Sequence, residues 1–193
     1  MNERDGRAER SVRSRELVAE AWAELMESEP TPPDMDTLSE QSGISVRSIY
    51  RLFGDTRTVV DAGIVAQLRR VRPLVVIEAS DRASLSVRCD AVATGHGALS
   101  EALLNIRHVA TDPIASELVG KAMASLRRAR RSVLASVFER ELERAAAHEG
   151  PDRLDAVESA SGWATWHGLR FDQRLSRARA QAIVTADLRA ILR

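Results

Sequence analysis

The sequence predicts an all-α fold: an N-terminal three-helix helix-turn-helix domain followed by a larger helical domain. Three observations carry this. Apolar residues recur at helical spacing along nearly the whole chain. The 10 glycines and 6 prolines are scarce and sit between periodic segments. No run sustains the period-two alternation of a half-buried strand.

A first helix is expected over about 11–28, with Val18, Ala21, Trp22 and Leu25 on one face and Glu16, Glu20, Glu24 and Glu27 on the other. The ten residues before it, with Arg4, Arg7 and Arg10, read as a polar arm. Pro30, Pro32 and Pro33 end the first helix. Asp34 can cap a second helix over about 35–42 that buries Leu38. Gly43 supplies a stop, Ile44 reads as the buried residue of a turn, and Ser45 can cap a third helix from Val46 to Phe53. Gly54 ends that helix, and Asp55 or Thr56 starts a fourth that runs to about Arg72. Later helical patterns cover roughly 82–94, 97–110, 113–148, 152–174 and 177–192. Asp112-Pro113 and Gly150-Pro151 are breaks, while Gly95-His96-Gly97 is a break or a bend within one long helix.

The bulk numbers limit the function classes. Hydrophobic residues make up 44% and charged residues 29% of the 193, as in a folded soluble chain. Uncharged apolar runs such as Pro73 to Ile77 are too short to cross a bilayer, and the charged Met1–Arg10 stretch does not resemble a secretory signal. No membrane association is expected, and the expected location is cytoplasmic. Cys89 is the only cysteine, which excludes an internal disulfide framework and a cysteine-cluster metal site. Basic and acidic residues balance at 28 each, and residues 1–57 hold 12 acids against 8 arginines. Any nucleic-acid footprint therefore has to be a patch on one face.

The informative stretch is Met35 to Phe53. Two short helices joined through Gly43 and Ile44 have helix-turn-helix geometry. With Leu38, Ile44, Ile49 and Phe53 as the buried set, Ser45, Val46, Arg47, Ser48, Tyr50 and Arg51 remain on exposed faces of the second helix. A helix of this size fits the DNA major groove.

This stretch resembles the DNA-binding signature of the TetR (tetracycline-repressor-like) family of transcriptional regulators. The matching residues are Gly43, Ile44, Ser45, Tyr50 and Phe53. The resemblance is specific over about 11–60 and architectural over the rest, where Trp163 to Arg170 and Leu175 to Leu192 look like the last two helices of family members. Two positions depart from the pattern: Leu52 stands where the family often has His, and Thr56 followed by Arg57 stands where it usually has a phosphate-touching Lys. The resemblance implies DNA contacts by Ser45, Val46, Arg47, Ser48, Tyr50, Arg51, Thr56 and Arg57. Thr56 and Arg57 lie at a helix start, a place suited to phosphate.

The family pattern further implies a DNA-binding domain over 1–57 and a regulatory, ligand-binding and dimerisation domain over 58–193. The homodimer would form through about 152–193, where small and apolar residues such as Leu154, Val157, Ala160, Ala164, Leu169, Ile183, Ala186, Ala190 and Ile191 recur. Candidate walls for the pocket of a small-molecule effector are Cys89, Met123, Phe138, Trp163, Trp166 and Phe171, with His108 or His167 as polar partners. Plain core packing competes for each of them.

No cofactor, metal site or catalytic group is expected. His108 and Asp112 are four apart, but two ligands do not make a site; no phosphate loop or nucleophile elbow appears. The expected function is a ligand-responsive, dimeric repressor released from double-stranded operator DNA by a small molecule. The competing expectation is a helical ligand- or protein-binding module that has lost DNA binding.

Overall fold

Side-chain caps and a left-handed glycine divide the N-terminal part of the chain where their chemistry dictates. The computed structural model describes residues 3–28, 31–79, 82–105, 107, 117–146 and 152–193, and every regular element among them is helical. Helix α1 spans Glu3–Ser28, so the expected polar arm is helical from its third residue. Its Glu, Arg and Ala content favours that continuation. Helix α2 spans Met35–Ser42, and the Asp34 carboxylate accepts from the Thr37 N–H at 2.8 Å. Gly43 stops it at φ +68°, a conformation that costs a residue with a Cβ dearly. Helix α3 spans Val46–Phe53 with Ser45 as its N-cap, and helix α4 spans Thr56–Val71.

The chain forms two compact units. One takes the residues up to Arg70 and returns for 103–124; the other takes Val71–Ala102 and 125–193. In the first, α1 buries Val18, Trp22 and Met26 almost completely. Gly63 of α4 lies against the Trp22 indole, and a Cβ there would overlap the ring. Arg70 of α4 pairs with Glu20, Glu24 and Glu27 of α1 at 3.7, 3.5 and 3.3 Å. Asn105 donates its amide N–H to the Met26 carbonyl at 2.9 Å.

In the second unit a short 3-10 turn, Arg72–Val75, precedes helix α5 over Leu85–Ala102. Helix α5 runs unbroken through Gly95-His96-Gly97, so the two helices expected on either side are one. The helix expected over 113–148 is divided at Phe138 into α6 (Glu117–Val137) and α7 (Glu139–Ala146). Phe138 is fully buried there. Arg88 donates to the Val137 carbonyl at 2.6 Å and binds Glu141 through both its terminal nitrogens, at 2.8 and 2.5 Å. This buried pair holds the first turn of α5 against the bend.

The pattern expected over 152–174 divides into α8 (Asp152–Ala160), α9 (Trp163–His167) and one π-helical turn (Gly168–Asp172). Helix α10 spans Arg177–Ile191 with Ser176 as its N-cap. Cys89, Val92 and Ala93 of α5 pack with Ala180, Val184 and Leu188 of α10 in a core that also holds Leu134, Phe138 and Trp166. Glu101 ties the end of α5 to this core, accepting from Trp166 Nε1 at 3.0 Å and Arg170 Nε at 2.7 Å. No helix among the described residues is long and apolar enough to cross a membrane.

Candidate nucleic-acid interface

Helix α3 is short, and two of its residues hold it to the first unit. Ile49 and Phe53, one turn apart, are buried at 0% and 8% exposure; Leu52 and Val46 flank them half-buried. At 3.6 residues per turn this leaves one continuous outer arc holding Tyr50, Arg47, Arg51 and Ser48. Arg47 and Arg51 are exposed and Ser48 half-exposed. Tyr50 is 43% exposed, so its ring is not spent on packing against α1. The turn residue Ile44, expected to be buried, is only half-buried: Gly43 turns the chain outward before Ser45 re-enters it.

The Ser45 side chain accepts from the Ser48 N–H at 3.4 Å, and its hydroxyl donates to the Ser48 hydroxyl at 3.1 Å. Those contacts define where α3 starts. Thr56 and Arg57 are exposed in the first turn of α4. Asp55 precedes them as the cap, accepting from the Thr58 N–H at 2.7 Å. That N–H, followed by the Thr58 hydroxyl, holds the Asp55 carboxyl below the usual carboxylate range. A phosphate approaching this helix start would meet the Arg57 side chain beside a carboxylate, rather than an open set of N–H groups.

Five of the 12 acids of residues 1–57 have defined structural partners. Glu20, Glu24 and Glu27 face Arg70 of α4. Asp34 and Asp55 cap helices. By contrast, no ion pair is formed by Arg10, Arg47, Arg51 or Arg57 among the described residues. Helix α3 itself carries two arginines and no acid although the segment's total is net negative.

Arg15 of α1 was not among the expected site residues. It donates to the carbonyl of Leu52 at the end of α3, and its guanidinium lies 5.4 Å from the centre of the Phe53 ring. It fixes α1 to α3. The residues around it, Arg10, Ser11 and Ser14, face the same side of α3. The signal available in the sequence was their spacing, since 10 and 14, and 11 and 15, share a helix face.

The expected effector residues fall into separate groups. Cys89, Phe138 and Trp166 are close-packed members of the second unit's core, and burial pushes the Cys89 thiol up to about 11. Trp163, His167 and Phe171 form a ladder one helical turn apart, with ring centroids 5.3 and 5.0 Å apart. Phe171 is 36% exposed. Met123 belongs to the first unit, and His108 lies outside the described residues.

The sequence matches no family model and no curated protein. Solved structures share the fold. A TetR-family transcriptional regulator from Streptomyces coelicolor superposes with a TM-score of 0.69 at 16% identity, covering 93% of this chain and 80% of that one. A candidate TetR-family transcriptional regulator from Mesorhizobium loti superposes with a TM-score of 0.64 at 16% identity, covering 95% and 96%.

Proposed function

We propose that this chain, which has the fold of TetR-family regulators, is a dimeric DNA-binding transcriptional repressor that a small molecule releases from its operator. The observation that carries the reading is the outer arc of α3, where Arg47, Tyr50 and Arg51 stand exposed above the buried Ile49 and Phe53. Arginine on such an arc can bond bidentately to a guanine edge, and tyrosine can bond a backbone phosphate. Ser45, Val46 and Ser48 would lie close to the same groove, with Thr56 and Arg57 on the flanking backbone. In this reading DNA binding belongs to residues 1–57, regulation belongs to 58–193, and the protein works in the cytoplasm as a regulator without enzymatic turnover.

Dimerisation through 152–193 is supported by a second surface. On α10 the inward positions Ala180, Val184 and Leu188 are spent on the core. Ala178, Ala182, Ala186 and Ala190, each four residues from the next, remain exposed. Small residues on one ridge allow close approach of a second helix. A dimer would present two recognition helices to two half-sites. The effector is proposed to bind within 58–193, with the Trp163–His167–Phe171 ladder as one wall. It would act by preferring the conformer whose recognition helices do not match the operator, since a ligand shifts a population only by its differential affinity.

The test starts by selecting bound sequences from a random duplex pool and then measuring Arg47→Ala on the selected site. Loss of about 1–3 kcal/mol of specific binding, with the fold intact, is expected for a base-reading arginine. Equal affinity of a folded variant would remove Arg47 from the interface.

A further inference from the structure

Beside α3 lies a cleft of about 840 Å³. Arg10 and Ser14 line it from α1, Ser48 and Arg51 line it from α3, and Gly43 and Ile44 line it from the turn. Its walls are cationic and hydroxylic, and no carboxylate lines it among the described residues. Arg15 also lines the cleft, but its bond to the Leu52 carbonyl keeps it as the strut between the two helices. Arg10 and Arg51 have no carboxylate partner among the described residues. Two unneutralised guanidinium groups across a gap lined by hydroxyls form a seat for an oxyanion. The planar fork of arginine matches two oxygens of a phosphodiester, and serine hydroxyls donate to the others.

We propose that the α1–α3 cleft binds a DNA backbone phosphate between Arg10 and Arg51, making the N-terminal half of α1 part of the DNA interface. The proposal rests on the DNA-binding reading above and refines it. Ser48 and Arg51 form the edge of the outer arc that borders the cleft, so a phosphate seated there is contiguous with a groove occupied by α3. Arg51 then serves the backbone, and base reading passes to the Arg47 and Tyr50 side of the helix. The unbroken start of α1 matters for the same reason: a coil at 3–10 would carry Arg10 with no fixed direction, whereas the helix holds it one turn from Ser14.

Phosphate contacts carry no sequence information, so the test does not require the operator. Fluorescence anisotropy on a scrambled duplex of about 30 bp, long enough for two half-sites, is measured across a range of salt concentrations. The parent is compared with Arg10→Gln, Arg51→Gln and, as a control on the second unit, Arg140→Gln. Each cleft variant is expected to weaken binding and to make the slope of log affinity against log salt shallower by about one unit per protomer, with the control unchanged. Slopes equal to the parent's in both folded cleft variants would overturn the proposal while leaving the DNA-binding reading intact. A parent that binds no duplex at any salt concentration would overturn both. A calorimetric titration with the dinucleotide pTpT separates the remaining source of phosphate. Arg10-dependent binding of pTpT by a protein that ignores duplex DNA would mark a site for a free phosphate ligand and overturn the backbone assignment.

Discussion

His96 shows how one residue can set a property of the protein that its sequence neighbours do not announce. It lies in α5 with 2% exposure. Burial, with Arg130 adding to it, pushes its imidazole down to about 3. The unfolded chain takes up a proton near the ordinary value of about 6.5, and the folded chain does not. Below that pH the unfolded state therefore binds more protons, and stability falls as pH drops from about 6.5 towards 3. The expected slope from this group approaches ~1.4 kcal/mol per pH unit. Urea midpoints between pH 7 and 5 check it, in a window above the carboxylates. His96→Leu should flatten the dependence, and parallel curves for parent and variant would assign the acid sensitivity to other groups. The exposed residues of α3 are the opposite case. Arg47 and Tyr50 were legible because a short helix with two buried positions leaves little choice for the rest. Arg15 and Arg88 were not, since their partners Leu52 and Glu141 lie 37 and 53 residues away and nothing local distinguishes them from solvated arginines.

Among the helices, two glycines separate packing from propensity. Gly63 of α4 has the Trp22 ring where its Cβ would be, so Gly63→Ala should overpack the α1–α4 contact and cost about 1–3 kcal/mol. Gly120 of α6 has nothing within 4 Å of that position. Gly120→Ala should therefore stabilise by roughly 0.5–1 kcal/mol, the difference between these residues in a helix. Denaturant midpoints of the two variants are expected to move in opposite directions. A shared direction would mean that the Trp22–Gly63 approach does not set the geometry of the first unit. The boundaries of α2 and α3 could be read from sequence because Asp34, Gly43, Ser45 and Gly54 are local signals acting within a few residues. The bend at Phe138 and the π turn at Gly168–Asp172 could not. Both are stabilised by distant groups, Arg88 at one and Glu101 through Arg170 at the other. The continuity of α5 past two glycines has the same kind of cause, because Gly97 sits where the Trp166 ring needs room.

For the molecule as a whole, the proposed assembly predicts a particle of twice the 21.2 kDa chain mass in sedimentation at micromolar concentration. Ala186→Arg, on the exposed ridge of α10, should yield a folded monomer with weakened operator binding. A variant that stays dimeric would move the interface elsewhere. The two units also interleave along the chain, since each is closed by a segment that follows part of the other. During synthesis this order sets a waiting time. The helix-turn-helix residues can pack as soon as α1 to α4 have left the ribosome. The apolar face of α5, with Cys89, Val92 and Ala93, has to wait for Ala180, Val184 and Leu188 of α10. At usual translation rates the roughly 90 intervening residues take about 5–18 s. The nascent chain thus carries the core of its second unit half-built and open to chaperones or self-association until α10 has been made. A product ending before Arg177 would never acquire the helix that covers that face, which makes premature termination in this gene a route to aggregation rather than to a shortened, working protein.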